Sequence, residues 1–133
     1  MTAVRSTFLR TVIALDAAAC GVMGAAFAFD AGWLAAPLGL SPALMQPVGL
    51  FLLPYAGLLG WLATRPALPR AVVWSLVAFN VLWAIESFAL LALGWVQPTT
   101  LGLAVVAVQA VAALVVAELQ YVALRKARRE AMA

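Results

Sequence analysis

The sequence predicts an all-α membrane protein: one domain over residues 1–133, a four-transmembrane-helix bundle with both termini cytoplasmic. Three observations predict it. The first is composition. Of 133 residues, 67% are apolar and only 10% are charged, and the mean hydropathy is +1.09. A soluble domain runs nearer half apolar and a quarter charged, so too few charges are present to coat a water-facing surface. The second is run length. Four apolar stretches each approach or exceed the roughly 20 residues that cross a bilayer. The third is charge placement. All eight cations fall in three clusters: Arg5 and Arg10; Arg65 and Arg70; Arg125, Lys126, Arg128 and Arg129. The links between spans one and two and between spans three and four carry none. By the positive-inside rule the three clusters mark the cytoplasmic side, and an even number of spans returns the chain there.

The first span covers about 11–29, after a short basic lead. A basic start before an apolar run also fits a signal peptide, but Asp16 interrupts the apolar run and the run is long for one. Ala17, Gly21 and Ala25 recur every four residues, a small-residue stripe that lets a neighbouring helix approach closely. Residues 30–42 are too apolar for a free loop. Trp33, Leu34, Leu38 and Leu40 predict a segment lying at the membrane surface. Ser41-Pro42 then reads as an N-cap followed by proline at the first helical position.

The second span covers about 43–64. Pro54 removes a backbone hydrogen bond near its middle, so a kink is expected. The link 65–70 is short, which makes spans two and three antiparallel neighbours. The third span covers about 70–93. After a polar turn, Thr99 or Thr100 caps the fourth, about 99–124, and a basic tail follows. Trp61, Trp74, Trp33 and Trp95 fall at the predicted interfaces, where tryptophan is enriched. Trp83 alone is deep.

The polar residues inside the spans are the functional candidates: Asp16, Tyr55, Asn80, Trp83, Glu86, Gln109 and Glu118. At about 1.5 Å of rise per residue, Asp16 and Glu118 lie roughly 9–10 Å from the cytoplasmic edge. They form an inner layer with Gln120 and Tyr121. Tyr55, Asn80 and Gln109 lie near the midplane, with Trp83 and Glu86 further out. At about 100° per residue, Asn80, Trp83 and Ser87 share a face, with Glu86 about 60° beyond Trp83. Glu118 points nearly opposite Gln109.

Carboxylates inside a bilayer cost a few kcal/mol and usually face the bundle interior. Glu86 is therefore read as a proton or cation site acting with Asn80, Tyr55 or Gln109 in an outward-leaning pocket, or as a structural carboxyl near the outer interface. Asp16 and Glu118 are candidates for salt bridges to Arg10 and Arg125. Asn80 and Gln109 are candidates for interhelical hydrogen bonds. Tyr55 and Trp83 also suit simple packing, and Cys20 suits a small core position.

With no histidine and one cysteine, the sequence excludes an internal disulfide, CxxC chemistry, histidine-ligated haem and the usual zinc sites. No P-loop, nucleotide-binding glycine pattern, GxSxG or HExxH is present. No cofactor, metal or nucleic-acid partner is expected, and the basic tail is read as a topology signal.

The strings Leu15-Asp16, LLPYAG at 52–57, FNVLW at 79–83 and AELQY at 117–121 give the chain a pattern that resembles small uncharacterised bacterial integral membrane proteins with four predicted helices. The resemblance implies a location in the bacterial inner membrane and no activity. Three functions follow as expectations. The leading one is binding or transport of a small or lipid-like molecule through the polar intramembrane cluster, with self-association because four spans are few to enclose a pathway. The second is an accessory or assembly subunit of a larger membrane complex. The third is an intramembrane isomerase, cyclase or hydrolase using Asp or Glu as acid and base.

Overall fold

The computed structural model describes residues 3–132 and is helical almost throughout. A two-residue strand β1 (Ala3–Val4) leads into α1 (Thr7–Phe29). A short helix α2 (Ala31–Leu38) connects to α3 (Pro42–Ala63). Strand β2 (Leu68–Pro69) precedes α4 (Arg70–Ala92), and α5 (Thr100–Met132) follows. Helices α1, α3, α4 and α5 are long and apolar enough to cross a membrane. Large apolar side chains such as Leu15, Val22, Leu50, Ile85 and Val108 are exposed along them. So much contiguous outward-facing apolar surface is foreign to a soluble monomer.

The sequence places each helix boundary through identifiable groups. Ser6 caps α1 by accepting a hydrogen bond from the Leu9 amide at 3.1 Å, so the helix begins four residues before the apolar run and takes in Arg10. Ser41 caps α3 through the Leu44 amide, with Pro42 at the first helical position. The helix continues through Pro47 and Pro54. At the start of α5 the Thr99 hydroxyl accepts from the Gly102 amide at 3.1 Å.

Two helical hairpins make up the bundle. Helices α1 and α3 pack closely along their length, and so do α4 and α5. In a bilayer no hydrophobic force separates lipid from protein, so close packing and polar contacts must hold such pairs. Glycine makes the first pair possible. A Cβ on Gly49 would overlap the backbone nitrogen of Ala28, and one on Gly24 would lie 3.0 Å from the Leu52 Cβ. The closest approach thus falls at Gly24 and Ala28 rather than on the stripe of Ala17, Gly21 and Ala25: a Cβ on Gly21 would meet Ala56 at an ordinary 3.8 Å.

The hairpins join mainly at the bundle's two ends. At one end β1 pairs antiparallel with β2, Val4 opposite Leu68, and both side chains are buried with Leu9, Leu62 and Leu124. The residue before proline favours extended backbone, which suits Leu68 and Arg65. A two-residue pairing carries no periodic signal in the sequence. Arg10 Nε donates to the Ala63 carbonyl at 3.0 Å and Arg70 Nη1 to the Leu124 carbonyl at 3.3 Å. The Ala63 carbonyl is one that the end of α3 leaves without a helical donor, whereas Leu124 lies within α5 and its carbonyl takes the guanidinium as an additional donor. At the other end the segment expected to lie at the membrane surface forms the helix α2, which docks on the start of α5. Gly39 ends α2 at φ +66°, a conformation suited to glycine. The Thr99 amide and hydroxyl then donate to the Leu38 and Pro37 carbonyls. Any Cβ on Gly102 would collide with the Leu38 carbonyl oxygen.

Candidate functional site

Between the hairpins lies a half-open cavity of about 180 Å³. Each helix of the bundle contributes one face. Asp16, Cys20 and Met23 follow i, i+4, i+7 spacing on α1. Leu52 and Tyr55 come from α3, Phe79, Asn80 and Trp83 from α4, and Gln109, Ala113 and Val116 from α5. The α1 lining runs from Leu15 to Met23, about 12 Å of helix.

Three lining residues are exposed: Leu15, Ala19 and Ala112. They belong to α1 and α5, so the mouth lies between those helices and opens sideways. Two of the three are alanines, which keeps the rim low. The α3–α4 seam is filled instead by rings. Tyr55 and Phe79 lie 4.4 Å apart between centroids, Phe79 and Trp83 5.8 Å, and Phe51 stacks on Tyr55, Phe79 and Trp83 from outside. Offset aromatic contacts of this kind favour a fixed arrangement.

Two polar bridges stitch α4 to α5. Trp83 Nε1 donates to Gln109 Oε1 at 2.7 Å, and Gln109 Nε2 donates to Ser87 Oγ and to the Val106 carbonyl, both at 2.9 Å. Asn80, 4% exposed, donates through Nδ2 to the Leu76 carbonyl at 3.0 Å and to Gln120 Oε1 at 3.3 Å. Gln120 is fully buried, and its Nε2 has no partner among the described residues. The shared face read from the sequence for Asn80, Trp83 and Ser87 is the face that meets α5.

Asp16 stands apart from these bridges. Cys20 Sγ donates to its Oδ1 at 3.5 Å, and its Oδ2 is buried without a hydrogen-bond partner among the described residues. The hydroxyl of Tyr55 is likewise buried and unpartnered. The salt bridge anticipated between Asp16 and Arg10 does not form, because the Arg10 guanidinium turns to the free carbonyl at the end of α3. Arg125 lies over the Tyr121 ring, 5.9 Å from its centroid.

The cavity therefore gathers Asp16, Tyr55, Asn80, Trp83 and Gln109. It leaves out Glu86 and Glu118, both exposed on the outer faces of α4 and α5. Asp16 of the expected inner layer and Tyr55, Asn80, Trp83 and Gln109 of the middle layer line one cavity, whereas Gln120 and Tyr121 do not line it. Its carboxyl is Asp16, not Glu86. Cys20 and Phe79, read as packing or unremarked in the sequence, belong to its lining. For Cys20 the signal was present: it lies one turn beyond Asp16 on the same face. Among the described residues no three Cys, Asp or Glu side chains converge as a metal site.

The chain matches no protein-family model, no curated protein and no solved structure.

Proposed function

We propose that this is a multi-pass inner-membrane protein that binds a small or lipid-like molecule in the cavity between its hairpins. The observation that carries this reading is the cavity itself: polar groups deep inside, and an exposed rim of Leu15, Ala19 and Ala112 facing sideways. A volume of about 180 Å³ is below the 300–1,000 Å³ range of drug-sized pockets. It suits a head group or a compact molecule, with any alkyl chain running out through the mouth into lipid. Cation placement supports an orientation with both termini and the 64–69 link on the cytoplasmic side. The apolar outer faces leave room for self-association, through which copies could complete a transport pathway.

Photolabelling tests the reading. An alkyl diazirine in proteoliposomes should label Leu15, Ala19 and Ala112 with saturation, and Ala112→Phe should abolish the saturable part. Non-saturable labelling spread evenly over the outer faces would count against it. An acid–base role in the same cavity is the second reading, favoured by the unpartnered oxygens of Asp16 and Tyr55. Turnover of the captured molecule, lost in Asp16→Asn, would distinguish it.

A further inference from the structure

The hydrogen-bonding inventory of the cavity wall leans towards acceptors, with the Tyr55 hydroxyl as its one uncommitted donor among the described residues. Asn80 and Gln109 each carry two carboxamide hydrogens, and Trp83 carries one indole hydrogen. Every one is already committed: Asn80 to Leu76 and Gln120, Gln109 to Ser87 and Val106, Trp83 to Gln109. The Cys20 thiol hydrogen points at Asp16. The backbone amides of the lining residues lie within helices. Among the described residues the unpartnered buried atoms on the wall are Asp16 Oδ2, an acceptor, and Tyr55 Oη, a hydroxyl that can both accept and donate. Among the described residues no lysine or arginine lines the cavity.

Resting on the binding reading above, we infer that the head group held here is a cationic amine, its N–H hydrogens directed at Asp16 Oδ2 and the Tyr55 oxygen. An ionised carboxylate offers acceptors only, so its complement is a donor, and a positive donor offsets the cost that hydrocarbon places on the carboxylate charge. Among the described residues an anionic head group finds no cation on the wall and only the Tyr55 hydroxyl as a free donor, and it meets the Asp16 charge. The other wall suits an ammonium as well. Tyr55, Phe79 and Trp83 present aromatic surface, which attracts cations where aliphatic surface does not. The ligand class is thus an amphipathic amine, its nitrogen deep and its chain leaving between α1 and α5.

The test is titration calorimetry on the full chain in uncharged maltoside micelles, with dodecylammonium, dodecanol and dodecyl sulfate as probes. Dodecylammonium should bind at least about tenfold more tightly than dodecanol, as expected for a charge-assisted hydrogen bond. Dodecyl sulfate should bind more weakly than either. Asp16→Asn should abolish the preference for the amine, and dodecanol binding that persists in the variant shows that it is folded. Tyr55→Phe should weaken amine binding by a few fold, which keeps the question open to test if Asp16→Asn does not accumulate. Equal affinity for amine and alcohol in the wild type, unaltered by Asp16→Asn, overturns the cationic assignment and leaves the binding reading standing. Tighter binding of dodecyl sulfate does the same. Failure of all three probes to bind overturns the binding reading and this inference with it.

Discussion

Trp83 Nε1 donates to Gln109 Oε1 at 2.7 Å, across the seam between α4 and α5. Gln109 passes the connection on to Ser87, whose hydroxyl donates to the Trp83 carbonyl at 2.8 Å. The three residues close a small ring of hydrogen bonds beside the cavity, the last of them onto the Trp83 main chain. That ring holds the indole in place as cavity wall and removes its donor from reach of a ligand.

A double-mutant cycle of Trp83→Phe and Gln109→Leu should therefore give a coupling of about 1 kcal/mol, above the average for interhelical hydrogen bonds in membranes. Reversible unfolding in mixed micelles measures it. Strictly additive losses would show that the bond contributes no net stability.

Gly49→Ala should lower stability by about 2 kcal/mol, since the new methyl must displace the Ala28 backbone on a neighbouring helix rather than a flexible side chain. Gly57 faces open space on the same helix. Gly57→Ala should be neutral or stabilising, by up to about 1 kcal/mol. Thermal denaturation of the two variants side by side checks the contrast, and equal behaviour would mean that α1 and α3 do not touch at Gly49.

Asp16 has one weak sulfur contact and one unpartnered oxygen. Asp16→Leu should accordingly stabilise the protein by about 1–2 kcal/mol, part of the cost of placing Asp in hydrocarbon, while amine binding disappears. A residue kept at the expense of stability is the mark of a binding site. A destabilised Asp16→Leu would assign the carboxyl a structural role instead.

Glu86→Gln should leave amine affinity unchanged in the calorimetric titration, because Glu86 is exposed on α4 and does not line the cavity. A tenfold loss, roughly 1.4 kcal/mol, would return Glu86 to the site.

Orientation is open to cysteine labelling. With Cys20→Ser as background, Trp33→Cys and Trp95→Cys should react with an impermeant maleimide added to intact cells. Arg65→Cys and Arg128→Cys should react only after the membrane is permeabilised. The opposite pattern would reverse the proposed topology.

Reading the spans from the sequence required no tertiary information. Hydrocarbon leaves backbone groups no water to bond, so a spanning segment has to be helical and about 20 residues long, and the apolar runs beginning near Thr11, Ala43, Arg70 and Thr99 declared themselves. The capping role of Ser41 is legible for a similarly local reason, as is that of Thr99 or Thr100, between which the structure selects Thr99. The pairing of Val4 with Leu68 escaped notice because two residues carry no period.

The composition of the site was decided elsewhere. Depth along each axis puts Asp16 and Tyr55 in separate layers and does not rank Asp16 above Glu86. What separates them is rotation. In water, an amphipathic stripe tells which face of a helix turns inward. In lipid the outside is as apolar as the inside, so leucine and valine on α4 and α5 say nothing about facing. Rotation was set by close contacts instead, Gly49 against Ala28 and Gln109 against Trp83. Those contacts turned Asp16 into the cavity and Glu86 and Glu118 out of it.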